Sequence, residues 1–344
     1  MSGGDFSNQV MELIPVDEQI SSPKAGRPHL VILGAGASVA AMPGGDRNGM
    51  RLPVMADLVA TLRLDSLLGK AGISPQGENF EQLYSDLYMS RKSPELLEQI
   101  EDAVRSYFGV LALPDEPTIY DYLVLSLREK DVIATFNWDP FLFKVCQRHY
   151  GKAPLPRVLY LHGNVAVGYC KQDRVKGPIQ SRCMKCGKPF TSSRLLFPVT
   201  EKDYTLDPLI RGEWEDFECT LEAAYLLTIF GYGAPVTDAK AVEVMKSAWS
   251  RPGVRELEEV EIINVKTADE LYATWNPFIV RTHYRIHNDY FNSMLARWPR
   301  RTCEAIWNQF MMLKLSQENS APRGVSLNEL QAWHAPLVEA EEGV

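Results

Sequence analysis

The apolar positions of this chain fall into two rhythms. Five short runs are apolar or β-branched at nearly every residue and read as buried strands: His29-Leu-Val-Ile-Leu33, Val132-Ile-Ala-Thr135, Arg157-Val-Leu-Tyr-Leu161, Tyr225 to Phe230 and Val260 to Val265. Between them the apolar residues recur at helical spacing. Leu58, Leu62, Leu67 and Leu68, then Leu96, Leu97, Ile100, Val104, Phe108 and Leu111, mark a mainly helical stretch from Val54 to Lys130. Within it Pro94 suits a first helical turn, with Ser93 as its cap. Thr118 to Leu127, Pro140 to Tyr150, EWEDFECTLEAA at 213–224 and one or two segments between Asn288 and Gln317 carry the same pattern. Residues 39–53 and 165–195 read as loops, and the last stretch as a loose acidic tail.

Strands alternating with helices predict an α/β fold with a mostly parallel sheet. The expected organisation is an arm or short docking element at 1–27, a main domain at 28–290 and C-terminal helices with a tail at 291–344. The main domain carries a helical insertion at 54–130 and a small cysteine-containing module at 165–197. In such sheets ligands lie beyond the carboxyl ends of the strands. The polar strand stops are therefore the informative positions: Gly34–Ser38, Asn137–Asp139, His162-Gly163, Gly231–Gly233 and Asn264.

Composition narrows the class. The 344 residues, 45% hydrophobic and 23% charged, suit a soluble globular protein with a sizeable core. A net charge of −8 argues against a non-specific nucleic-acid or membrane-surface binder, and no specific nucleic-acid contact is expected. No apolar run approaches the roughly 20 residues of a membrane span. The acidic N-terminus lacks the order of a signal peptide, and six cysteines in a chain this long make no disulfide scaffold. A cytoplasmic location is the expectation.

Each candidate motif has a plain alternative. Gly34-Ala-Gly-Ala-Ser38 after a strand suits a phosphate cradle at a helix N-terminus. However, Val39 stands where a third glycine would be, and Asp57 lies in a helical pattern rather than at the end of a second strand. A simple strand–turn–helix is the other reading. Asp139 is either a helix cap before Pro140 or a ligand contact, whereas Asn137 at the strand end should face the crevice. His162, next to Gly163, should leave its ring edge at the same crevice and serve as a base or ribose partner. Cys183-Met-Lys-Cys186-Gly187 is half a zinc ribbon. With Cys170, and Asp173 or a water, it makes an unusual zinc set or the remnant of one. Tyr204, Trp214 and the aromatics near Trp275 read as packing.

Taken in order, GAGAS, TFNWD, LHG, CxxCG, a strand ending in GYG, and IINV resemble the sirtuin family over residues 29–290. The resemblance implies a Rossmann-like NAD+ site. Gly34, Ala35, Gly36 and Ser38 would meet the NAD+ phosphates and nearby ribose, with Thr135 of the T-x-N-x-D strand on the cofactor side. Asn137 would lie by the nicotinamide ribose and Asp139 by the carboxamide. His162 would be the catalytic histidine, and Gly231, Tyr232, Gly233 and Asn264 would face the adenosine half. Several positions depart from deacylating sirtuins. Phe136 replaces Gln, GGDRNGMRLP replaces a GIPDFR-like stretch, Tyr232 and Gly233 alter the G-[ST]-S end, and the first zinc pair is incomplete. The pattern is similar to a divergent bacterial branch, typified by T-x-N-[YW]-D, whose members hydrolyse NAD+ in antiphage defence. That branch implies an NAD+ glycohydrolase releasing nicotinamide and ADP-ribose, with Asn137 orienting water and His162 acting on a ribose hydroxyl. It also implies a homo-oligomer working with a partner such as a translocase-type ATPase or an Argonaute-like protein. A deacylase or ADP-ribosyltransferase, and a non-catalytic nucleotide-binding subunit, are the alternatives.

Overall fold

Eleven strands are present among the described residues of the computed structural model, which are 12–74, 79–91, 93–199, 204, 207–251, 258–279 and 283–342. They are β1 (Glu12–Ile14), β2 (His29–Leu33), β3 (Val132–Thr135), β4 (Arg157–Tyr160), β5 (Val167–Cys170), β6 (Val175–Pro178), β7 (Thr191–Ser192), β8 (Leu226–Phe230), β9 (Glu259–Ile263), β10 (His283–His287) and β11 (Lys314–Ser316). Six form one sheet in the order β10-β9-β8-β2-β3-β4, every pairing parallel. From β4 across, the chain runs down three strands to β2 and then outward from β8. That is the doubly wound order, with its switch point between β2 and β8.

Both faces of this sheet are covered, which is why its central strands read as unbroken apolar runs. Successive residues of β2 face opposite sides. Val31 and Leu33 join one core with the helices at 35–41, 80–90, 94–109, 119–125 and 141–149. Leu30 and Ile32 join the other with the helices at 208–223, 239–250 and 268–279. Two of those helices (239–250, 268–279) and β10 are additions to the elements read from sequence. β10 is a half-exposed edge strand, His-Tyr-Arg-Ile-His, and lacks the apolar run that marked the others.

Two segments differ from their expected form, and a third takes one of its two readings. Residues 12–21 form β1 and a short helix, and β1 pairs in parallel with β11, as a short docking element does. The loop-like 165–195 contains a three-stranded antiparallel sheet, β6-β5-β7. The loose acidic tail is a helix, Leu327–Glu339, started by a capping box between Ser326 and Glu329. Its end is anchored by charge: Glu341 accepts from Arg300 at 2.6 Å and from Arg301 at 2.6 Å, and both guanidinium groups are almost fully buried.

Candidate active site

The strand registers align the predicted polar stops. Leu33 pairs with Thr135 and Phe230, Thr135 with Tyr160, and Phe230 with Ile263, so Gly34, Phe136, Leu161, Gly231 and Asn264 each begin the exit from their strands. At the switch point the GAG and GYG loops interlock. Gly34 N donates to Phe230 O at 3.0 Å and Gly36 N to Gly231 O at 3.0 Å. Gly231 has φ +63°, and a Cβ there would lie 2.1 Å from Ala37 N; one on Gly34 would lie 2.5 Å from Tyr232 Cα. These glycines are therefore required by backbone approaching backbone. The helix at Ala35–Ala41 starts as expected, but one of its free N–H groups, on Gly36, is already spent on Gly231.

Asn137, Ser38 and Asp139 converge, and a fourth residue joins them. The Asn137 Nδ2 group donates to Gly34 O at 2.9 Å and to Ser38 Oγ at 3.0 Å. Ser38 Oγ donates to Asp139 Oδ2 at 2.6 Å, and Tyr120 OH lies 2.7 Å from Ser38 Oγ and 3.4 Å from Asn137 Nδ2. With the Ser38 proton on Asp139, the phenol donates to Ser38. Because Gly34 O can only accept, the Asn137 amide orientation is determined: Nδ2 is engaged, and Oδ1 is the atom left to meet a ligand or water. Thr135 Oγ1 accepts from Asn137 N at 3.0 Å and so holds the backbone of the turn. Asp139 is held at both carboxylate oxygens. Oδ1 accepts from Phe141 N at 3.1 Å as a cap, while Oδ2 belongs to the cluster. Burial raises its carboxyl pKa, against the hydrogen bonds from Ser38 and Phe141.

Tyr120 escaped the sequence reading because it sits in an apolar helical run, Ile-Tyr-Asp-Tyr-Leu, with no local sign of which face meets the site. It is buried, and burial raises its pKa first of all, so it acts as a neutral donor.

Ala35, Ser38, Phe136, Asn137 and Asp139 line a cavity of about 40 Å³, roofed by Leu52, Pro53, Val54, Met55 and Leu58. That is room for a few waters, whereas ligand pockets run from about 300 Å³ upward. This cavity alone is too small for a dinucleotide. Gly233 borders a wider groove of about 500 Å³ with Pro235, Glu243 and Lys246.

His162 sits in an aromatic surround. The expected exposed ring edge is instead buried, at 5% exposure. The Phe136 ring meets the His162 ring edge-on at 4.8 Å and stacks face to face on Tyr232 at 4.2 Å. Tyr204 and Trp214 complete an aromatic box, and Trp275 backs Tyr232. On the polar side His162 Nε2 lies 3.8 Å from Asp238 Oδ1, and Asp238 Oδ2 accepts from Tyr232 OH at 3.0 Å. Asn264 is occupied locally: its Oδ1 accepts from Lys266 N at 3.2 Å.

In the small module, Cys170, Asp173, Cys183 and Cys186 bring four ligand atoms within 4.8 Å of one another. Cys170 Sγ to Cys186 Sγ is 3.5 Å, and Asp173 Oδ2 lies 3.0 Å from Cys183 Sγ and 3.4 Å from Cys170 Sγ. Zinc–sulfur bonds of about 2.3 Å at tetrahedral angles place sulfurs about 3.8 Å apart. The set therefore fits zinc, with Asp173 as fourth ligand, in an antiparallel module outside the main sheet.

No protein-family model matches the chain, and no curated protein matches it. Solved structures do resemble it. A Sir2 homologue–NAD complex is 13% identical over 84% of this chain and 93% of that one, with a TM-score of 0.42. A structure from work on sirtuin substrate affinity is 18% identical over 81% and 93%, with a TM-score of 0.41. Sir2Tm bound to a propionylated peptide is 16% identical over 82% and 93%, with a TM-score of 0.37. These structures are sirtuins. At such identities and scores the likeness to sirtuins carries no assignment of activity, which rests on the residues described above. No helix among the described residues is long and apolar enough to cross a membrane.

Proposed function

We propose that the chain is an NAD+-cleaving enzyme of sirtuin type, and specifically an NAD+ glycohydrolase. The clamped amide of Asn137 carries the reading: its three Nδ2 contacts are internal, and Oδ1 remains as an acceptor for a water at a strand end beside the GAG loop. In the reaction the C1′–N bond of the nicotinamide ribose breaks and its electron pair leaves with nicotinamide. Water oxygen bonds to C1′, and one proton is released. Nicotinamide leaves as a neutral molecule from a cation, so no strong acid is needed; orientation and charge stabilisation suffice. His162 takes a ribose hydroxyl proton. Water rather than acyl-lysine as acceptor is supported by Phe136, which stands where the resemblance places Gln in deacylating sirtuins.

The complete Cys170–Asp173–Cys183–Cys186 cluster favours a second reading, a deacylase, because such a module belongs to the sirtuin resemblance. NAD+ consumption by the purified chain, with and without an acyl-lysine peptide, separates the two. Turnover that depends on the peptide sinks the hydrolase. Asn137→Ala is expected to reduce nicotinamide release at least about 100-fold; wild-type release by this variant removes the proposed role. Uncontrolled NAD+ loss is toxic, so the hydrolase reading fits an antiphage effector held in check by assembly and by an ATPase or Argonaute-like partner.

A further inference from the structure

Asp238 occupies the cap position of the helix Ala239–Ser250, yet its side chain makes no capping bond. Asp207 and Asp289 use theirs, accepting from Leu209 N and Ile210 N and from Phe291 N, whereas Asp57 and Asp238 do not. An unused cap forgoes about 1 kcal/mol of helix stability. Asp238 is also buried, at 4% exposure, where a carboxylate is costly without partners. Tyr232 OH holds Oδ2, which turns Oδ1 toward His162 Nε2 at 3.8 Å. A small rotation of either side chain closes that distance to a hydrogen bond, and catalytic hydrogen bonds are commonly long before substrate binds.

We propose that Asp238, oriented by Tyr232, is the positioning residue for His162. It holds Nε2–H toward its carboxylate and leaves Nδ1 to accept the ribose hydroxyl proton. The step moves one proton from the hydroxyl oxygen to Nδ1 and alters no other bond. The proposal rests on the NAD+-cleaving reading and adds to it a tautomer, an atom and a partner. The His–carboxylate arrangement also gives Tyr232 a purpose beyond stacking on Phe136. Among the described residues, other titratable or charged groups near the ring include Tyr204 at 6.4 Å, Lys240 above the Tyr204 ring at 5.8 Å, and Glu81, which acts on Tyr232.

The test uses the full chain and its Asp238→Asn, Tyr232→Phe and His162→Ala variants. NAD+ turnover is followed against pH, and the His162 ring is titrated by NMR, assigned by its loss in His162→Ala. A nearby carboxylate favours the protonated ring. Asp238→Asn is therefore expected to move the acidic limb of kcat/KM, and the His162 titration, about one unit lower. It should lower kcat about 10-fold or more with KM for NAD+ changed less than about 2-fold. Asp238→Glu should recover part of the loss. An unmoved His162 titration in Asp238→Asn overturns the proposal. If that variant does not fold, Tyr232→Phe decides: a smaller shift in the same direction supports the pair, and no shift overturns it. Wild-type turnover by His162→Ala would instead overturn the role of His162 in the parent reading; an inactive His162→Ala with an unmoved Asp238→Asn profile overturns the pair alone.

Discussion

Asn137 shows how much a single side chain depends on its neighbours. An Asn at a strand end is a common stop, and its local sequence gives it no orientation. Gly34 O and Ser38 Oγ supply that orientation, and Tyr120 supplies the proton that keeps Ser38 donating to Asp139. Tyr120→Phe removes only a hydroxyl, which leaves packing intact but frees Ser38 to redirect its bonds. We expect kcat for NAD+ to fall about 10-fold, with the melting temperature lowered by no more than a few degrees. A fall in melting temperature with unchanged kcat would make Tyr120 a packing residue only. Two buried histidines set a pH dependence at the same scale. Burial holds His29 and His334 near pKa 4, below the ordinary 6.5. The unfolded chain binds these protons first as pH falls, so their contribution is present above about pH 6.5 and is lost between about 6.5 and 4. Denaturant midpoints measured from pH 7.5 to 4.5 should decline through that window, and a flat profile would contradict neutral burial of both rings.

The zinc module and the C-terminal helix each stand or fall as an element. With Cys170, Asp173, Cys183 and Cys186 arranged at tetrahedral spacings, the module should hold one zinc per chain by elemental analysis. Cys183→Ser should lose that zinc and lower the melting temperature, while Asn137-dependent turnover persists in the fraction that stays folded. Zinc retained at one per chain in Cys183→Ser would refute this ligand set. The helix Leu327–Glu339 is tied down by Glu341 against two buried guanidinium groups. Glu341→Gln leaves both without their counter-charge, and a loss of about 3 kcal/mol in unfolding free energy is expected, read from denaturant titration. In sequence this region offered only acidic composition; its order comes from Arg300 and Arg301, 40 residues earlier in the chain.

At the scale of the whole molecule, sheet order decides where the candidate site lies. Because β2 and β8 are neighbours, loops from residues 34 and 231 interlock and the crevice falls between two halves of the chain. Exposed apolar side chains at Leu13, Trp307, Met311, Met312, Leu313 and Leu315 lie on and beside the β1–β11 pair. If the expected homo-oligomer uses this surface, Leu315→Glu should reduce the mass seen by light scattering; a wild-type oligomer in that variant moves the interface elsewhere.

Five strand runs, their polar stops, the GAGAS turn and the clustering of half a zinc ribbon with Cys170 were legible in the linear pattern. Each depends on contacts within a few residues or on burial on both sheet faces, and these leave periodic or compositional marks. The edge strand β10, the Tyr120 hydroxyl, the Asp238–His162 approach and the packing of Phe136 on His162 left no such mark. They are made by residues far apart in the chain, and their chemistry appears only when the sheet's order brings them within hydrogen-bonding or van der Waals reach.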